Sequence, residues 1–324
     1  MKKLLTVLAV SVMALVQQGL SAMDCCGQYS NDSCFSCTTV DFSVGYRSDD
    51  IDFRISNQFG DQTLSKALFD DLRSYQFGIG IKSLLSGCFY VRAYADYGNI
   101  YSGKTHTRQF VDCCFGPDAQ RTKYDAKRGE VWDISAGIGF QFCGCDERLA
   151  FAPLFGYSVH EQRVKRFGPL HTFFRENFLP VDSSSSSSSS SALARGQSGC
   201  DESFLCPISS DFGDCNEKFK CTNSSYRSRW TGPWVGFDAS YLLTCNLNVY
   251  GGFEYHWIRF RGKGRWEFRD VFVDDFNQSA SGDGQIYTVG ATYTFCDCWI
   301  FGLEAKWQDF TTCHGSDKAY VNRI

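Results

Sequence analysis

Apolar side chains recur at every second position in nine stretches of this 324-residue chain, and that period belongs to strands, not helices. The clearest stretch sets Tyr287, Val289, Ala291, Tyr293 and Phe295 on one face, with Thr288, Gly290, Thr292 and Thr294 on the other. The same alternation carries Val40 to Tyr46, Tyr75 to Ile81, Phe89 to Tyr97, Trp132 to Phe142 and Leu149 to Val159. It returns from Val235 to Tyr241, Val249 to Trp257 and Trp299 to Trp307. Aromatics make up 16% of the chain and cluster at the ends of the apolar faces. A soluble β-sandwich alternates too, but it does not account for aromatics at both ends of the apolar face. A membrane barrel does, because rings settle at the two lipid–water boundaries.

The connections alternate between short and long. Short ones lie at Leu84 to Gly87, Gly144 to Glu147, Thr244 to Asn246 and Cys296 to Cys298. Long ones run from Asp49 to Leu72, Gly98 to Gly129, Val164 to Arg229, Arg261 to Gln285 and beyond Thr311. Outer-membrane barrels have this asymmetry, with short periplasmic turns and long outer loops. The expected fold is all-β: an antiparallel transmembrane barrel of about ten strands over residues 39–324, with a Ser/Cys-rich outer loop at 164–229. Ala319 to Ile324 reads as the opening of a tenth strand that is cut short.

Lys2 and Lys3, the apolar run Leu4 to Val16 and the small residues ending at Ala22 read as an export signal over residues 1–22. Residues 23–38 then form a cysteine-rich periplasmic segment. Seventeen cysteines behind an export signal point to an oxidising compartment and to disulfides. An odd count leaves one thiol unpaired or joined to another chain. Cys34 and Cys37 form a C-x-x-C, but no second pair with suitable histidines follows, so no metal and no cofactor is expected. Cys25, Cys26, Cys34, Cys37, Cys88, Cys143, Cys145, Cys245, Cys296 and Cys298 fall at the periplasmic end. Cys113, Cys114, Cys200, Cys206, Cys215, Cys221 and Cys313 fall at the outer end. The nine serines Ser183 to Ser191 form a tract that cannot pack, leading into the four cysteines of the long outer loop. The inner-rim cysteines either staple turns within one chain or bond to neighbouring envelope proteins or to other copies of this one.

Residues opposite the aromatic face would line the lumen. They include Asp41, Arg47, Lys82, Arg92, Asp96 and Asp133, then His160, Asp238, Glu254, His256, Glu304 and Lys306. A neutralising ion-pair network that fills a narrow barrel is one reading. The other takes Asp96 and Asp133 with His256 as an acid/base group that activates water. Ten strands exceed by little the eight at which side chains fill a barrel, so at most a narrow conduit is expected. Arg259, Arg261, Lys263 and Arg265, with Trp266 and Phe268, form a basic patch where a strand enters an outer loop. It suits anionic lipid headgroups or host polyanions, or is simply solvated. A net charge of -4 argues against nucleic acid as a partner.

Export signal, aromatic alternation and cysteine pairs at the turns together resemble the cysteine-rich outer-membrane proteins of chlamydia-like bacteria. The likeness is close to the family called Protochlamydia outer membrane protein, from Thr38 to Ile324. It implies an envelope stiffened by disulfide-linked membrane proteins. Strand count and loop layout are also similar to the omptins, ten-stranded surface proteases with an Asp-x-Asp pair on one outer loop and an Asp-x-His pair on another. Here Asp96, Asp112 and Asp118 make no Asp-x-Asp, and no histidine lies between Arg261 and Gln285. The protease activity is therefore not carried over, and no enzyme is expected. The function expected is that of a bacterial outer-membrane barrel, embedded in outer-membrane lipid, with a structural, cross-linked and surface-presenting role. The alternatives are a porin for small solutes and an omptin-like surface protease.

Overall fold

The computed structural model describes residues 37–56, 63–85, 88–109, 120–143, 148–174, 224–265, 272–295 and 299–321. The export signal, the serine tract and Cys25, Cys26, Cys34, Cys113, Cys114 and Cys145 lie outside the described residues. So do Cys200, Cys206, Cys215, Cys221, Cys296 and Cys298, together with Trp266 and Phe268 of the basic patch.

The described chain is a single curled antiparallel sheet of ten strands. They are β1 (Cys37–Ser56), β2 (Thr63–Leu85), β3 (Phe89–Gln109), β4 (Gln120–Phe140) and the two-residue β5 (Phe142–Cys143). Then follow β6 (Leu149–Phe174), β7 (Ser225–Thr244), β8 (Leu247–Arg265), β9 (Phe272–Phe295) and β10 (Trp299–Val321). Each long strand pairs with the next in sequence, and β5 pairs with β6 beside the path. The long strands coincide with the nine alternating stretches, because period-two patterning decides both strand and facing.

Outward side chains are large, apolar and uncovered. Phe77 is 59% exposed, Phe155 58%, Val289 63% and Leu303 62%. A water-soluble monomer does not leave such a continuous apolar surface bare, so lipid is the solvent for this face. Trp299 and Trp307 bracket the outer face of β10 eight residues apart, roughly 26 Å along the strand at about 3.3 Å per residue. At the usual strand tilt of about 40° that run covers roughly 20 Å of membrane depth, most of a barrel's apolar band of about 25 Å.

The strands are longer than the alternation indicates, at 19 to 26 residues in the long members. The expected long connections are largely paired backbone. Asp52 faces Leu68, Lys104 faces Asp125 and Lys263 faces Asn277. The 164–229 loop is likewise shortened, since β6 runs to Phe174 and β7 starts at Ser225. Above the lipid both faces turn polar or mixed and the hydrophobic period fades. Backbone pairing does not depend on side-chain polarity and continues. Ala319 to Val321, expected to open a further strand, instead extend β10, where Ala319 faces Phe276 and Val321 faces Phe272.

Among the described residues β1 and β10 are the sheet's edges, and both run away from the short-turn end. The curl brings their inward side chains together, with Arg47 Nη2 donating to Gln308 Oε1 at 3.5 Å.

The lipid-facing assignment makes a quantitative prediction. Leu303→Arg, in the middle of the apolar face, is expected to cost about 2–4 kcal/mol, and Thr311→Arg beyond the aromatic belt about 0–1 kcal/mol. Urea unfolding in phospholipid vesicles measures both, and equal costs would contradict the placement of the belt.

Candidate functional site

Inward positions of neighbouring strands fall in register, so the curled sheet stacks its interior in layers. Nearest the short turns, Lys82 Nζ lies over the Tyr250 ring at 4.9 Å from the centroid, and the Tyr250 hydroxyl donates to Glu304 at 3.0 Å. Asp41, also of this layer, lies against Gly80, its register partner. The predicted lumen residues Asp41, Lys82 and Glu304 thus share one level.

The middle layer centres on Arg92. Its two terminal nitrogens reach Asp238 on β7 and Glu254 on β8, each at 2.5 Å. The guanidinium carbon lies 5.1 Å from the centroid of Trp234. The indole needs room, which glycine supplies. A Cβ at Gly137 or at Gly156 would each stand 2.5 Å from the Trp234 ring. These inward glycines are flat ground under a large side chain, as expected where another group must approach the backbone closely.

The third layer centres on Arg47. It donates to Asp49 at 2.7 Å, to Asp133 at 2.6 Å and to Gln308 at 3.5 Å. Gln162 donates to the other Asp49 oxygen at 3.2 Å, and Lys306 lies 3.7 Å from Asp96. Above this layer the lumen closes with hydrocarbon. Phe69, Leu72, Ile100, Ala126, Val164, Tyr226 and Phe260 form a buried apolar cluster. Within it Tyr226 stacks on Phe53 at 5.2 Å and on Phe69 at 5.4 Å. An apolar plug inside the outer end of the barrel was not expected from the sequence.

Both lumen histidines are braced by carboxylates, but not in the grouping the sequence suggested. Asp133 pairs with His160 at 2.9 Å, while His256 pairs with Glu254 at 2.9 Å and with Ser158 at 3.1 Å. Asp96 is directed to Lys306. Asp96, Asp133 and His256 therefore belong to three separate pairings. The two imidazole rings lie 5.8 Å apart, both within 6 Å of the Phe310 ring, under the plug. A carboxylate-braced imidazole can relay protons, but His160 and His256 are almost fully buried and meet no open cleft among the described residues. His160 Nε2, Ser135 Oγ and Trp234 Nε1 are buried with no hydrogen-bond partner among the described residues. Such atoms mark places for buried water.

Sequence reading missed Asp49, Ser158, Gln162, Tyr250 and Gln308, which complete the network. Asp49 carried a usable signal, sharing inward parity with Arg47 two positions away. Trp234 and Phe310 were missed because apolar residues on the lumen parity contradict the simple polar-inside pattern.

Cys88, Cys143 and Cys245 are exposed at the short-turn end, Cys88 just before β3, Cys143 in β5 and Cys245 between β7 and β8. Cys37 opens β1 at that same end, facing Leu84, whereas Cys313 lies in the outer half of β10. Arg259, Arg261, Lys263 and Arg265 occupy successive exposed outward positions of β8.

The sequence matches the family model described as Protochlamydia outer membrane protein over residues 41–323. No curated protein matches it. Among solved structures, the crystal structure of the outer membrane protease OmpT from Escherichia coli is similar, with a TM-score of 0.50 at 11% identity. That alignment covers 87% of this chain and 96% of the protease. The likeness supports the outer-membrane barrel fold; at this identity it carries no activity across.

The Arg92 hub is expected to be costly to dismantle from one side. Arg92→Ala leaves the buried Glu254 and the half-buried Asp238 without their cation and should lose about 3–5 kcal/mol. The triple variant Arg92→Ala with Asp238→Ala and Glu254→Ala should recover part of that loss. Denaturant unfolding of the series checks this; additive losses would refute a coupled network.

Proposed function

Because this chain belongs to the Protochlamydia outer membrane protein family, we propose that it is a barrel with a filled interior whose work in the outer membrane is structural and surface-presenting. The observation that carries this reading is the occupied interior. Buried ion pairs cross the lumen from β1 to β4 and from β3 to β7 and β8, and an aromatic plug lies above them. A porin needs a wetted path, and barrels with open channels have 16 or more strands by general rule. The surface-presenting part rests on the hairpins, whose paired strands continue past the aromatic belt. We read the chain as non-enzymatic, since both carboxylate-braced histidines are enclosed.

The cross-linking part of the proposal rests on the inner rim. Cys88 and Cys143 are exposed there, Cys88 just before β3 and Cys143 in β5. Cys88 also has φ 82°, a backbone angle that glycine adopts more cheaply. A turn shaped by geometry alone favours glycine or asparagine at such a position. A cysteine kept at this position leaves a solvent-exposed thiol at the rim.

Outer membranes resolved by electrophoresis without reductant should contain the chain in high-mass species that collapse on reduction. Replacing Cys88, Cys143 and Cys245 together by serine should deplete them. Migration of the wild type as a monomer would end the cross-linking reading. In planar bilayers the purified barrel should give no sustained conductance steps; reproducible open steps would instead favour the porin.

A further inference from the structure

Outside the barrel, above the apolar belt, one side carries cations in direct register across adjacent strands. Arg163 on β6 faces Arg227 on β7, which faces Lys263 on β8. One row closer to the lipid, Arg229 faces Arg261. One row further out, Arg128 faces Lys165. Partnered strands lie about 4.8 Å apart, and like charges directly opposite one another are destabilising. Among the described residues two carboxylates bridge to these cations. Glu161 holds Arg227 at 2.6 Å and reaches Arg229 at 3.6 Å, and Glu130 lies 3.6 Å from Arg163. In the same rows β9 carries Ser281, Ser279 and Asn277, so the run of cations ends at β8.

We propose that this face binds the phosphate-bearing headgroups of outer-leaflet lipids. Its position selects a lipid over a soluble polyanion. On β8 the cations begin at Arg259, the next outward position after the half-exposed Trp257 of the apolar belt. On β6 they begin after Tyr157 and Val159. A headgroup anchored in the leaflet is thus held beside them. Guanidinium groups bind phosphate oxygens in pairs, and long arginine stems reach along an apolar surface while the charge stays at the boundary. Phosphate between Arg163, Arg227 and Lys263 replaces mutual repulsion with attraction.

The full chain reconstituted in phosphatidylcholine vesicles, with and without phosphatidylglycerol, tests this through the urea midpoint of unfolding. The wild type should unfold at higher urea when phosphatidylglycerol is present, and added salt should shrink that rise. Arg163→Ser with Arg227→Ser and Lys263→Ser should abolish the rise without lowering the midpoint in phosphatidylcholine alone. If that triple variant fails to fold, Arg261→Ser should reduce the rise by itself, while Arg73→Ser, on β2, leaves it intact. Equal wild-type midpoints in the two lipids would overturn the proposal, as would a full rise in the triple variant. A matching rise from inorganic phosphate in phosphatidylcholine vesicles would overturn the lipid assignment.

Discussion

In hydrocarbon a backbone amide has no water to bond with, so each strand must be paired along its length by a neighbour. That requirement organises the molecule. It forces the strands from β1 to β10 into one continuous antiparallel path, with each connection joining neighbours. Once paired, the strands have only two faces, and the solvent on one of them is lipid. The apolar rings of Phe77, Phe155 and Phe301 therefore point outward. Charges in the spanning region are turned inward, where they must find each other.

The inward charges do so across large sequence distances. Arg47 meets Asp133 86 residues away, and Arg92 meets Glu254 162 residues away. Removing such ions from water costs several kcal/mol each, which their attraction only partly offsets. The network's contribution is better seen as selection. A slip of one residue in β3 would send Arg92 into lipid and Phe89 or Val91 into the lumen, so buried pairing enforces the register that backbone bonding alone would leave open. Trp234 on Gly137 and Gly156 acts the same way through shape, since only this register sets the indole over positions without a Cβ.

The aromatic plug changes what the polar interior can do. In an open barrel, lumen charges line a water path. Here Tyr226, Phe53 and Phe69 cap them on the outer side, and Tyr226 spends its hydroxyl on Gln278. Charge that is available to solutes or lipids therefore lies on the outside of the wall and at the rims. Chemistry is similarly divided by level. Thiols stand exposed at the short turns, apolar rings occupy the middle, and cations appear where the strands leave the lipid.

The alternation of Trp299, Phe301, Leu303, Ala305 and Trp307, and of the other stretches like it, was enough to read class, facing and the membrane span from the sequence alone. That signal is local, because a strand's two faces are written by adjacent residues. Twelve inward charges and histidines could be named by parity in the same way, but their partners could not. His256 pairs with Glu254 rather than Asp133, because the choice rests on register between strands far apart in the chain. The strand ends beyond the lipid were equally illegible, since backbone pairing there leaves no hydrophobic period to read. Residue types and their spacing determined that this chain crosses a membrane as paired strands with a polar interior. Only the pairing and curl of the sheet decided which charges meet, that hydrocarbon caps them, and that cations of β6, β7 and β8 share rows, because each depends on distances between segments that no local pattern encodes.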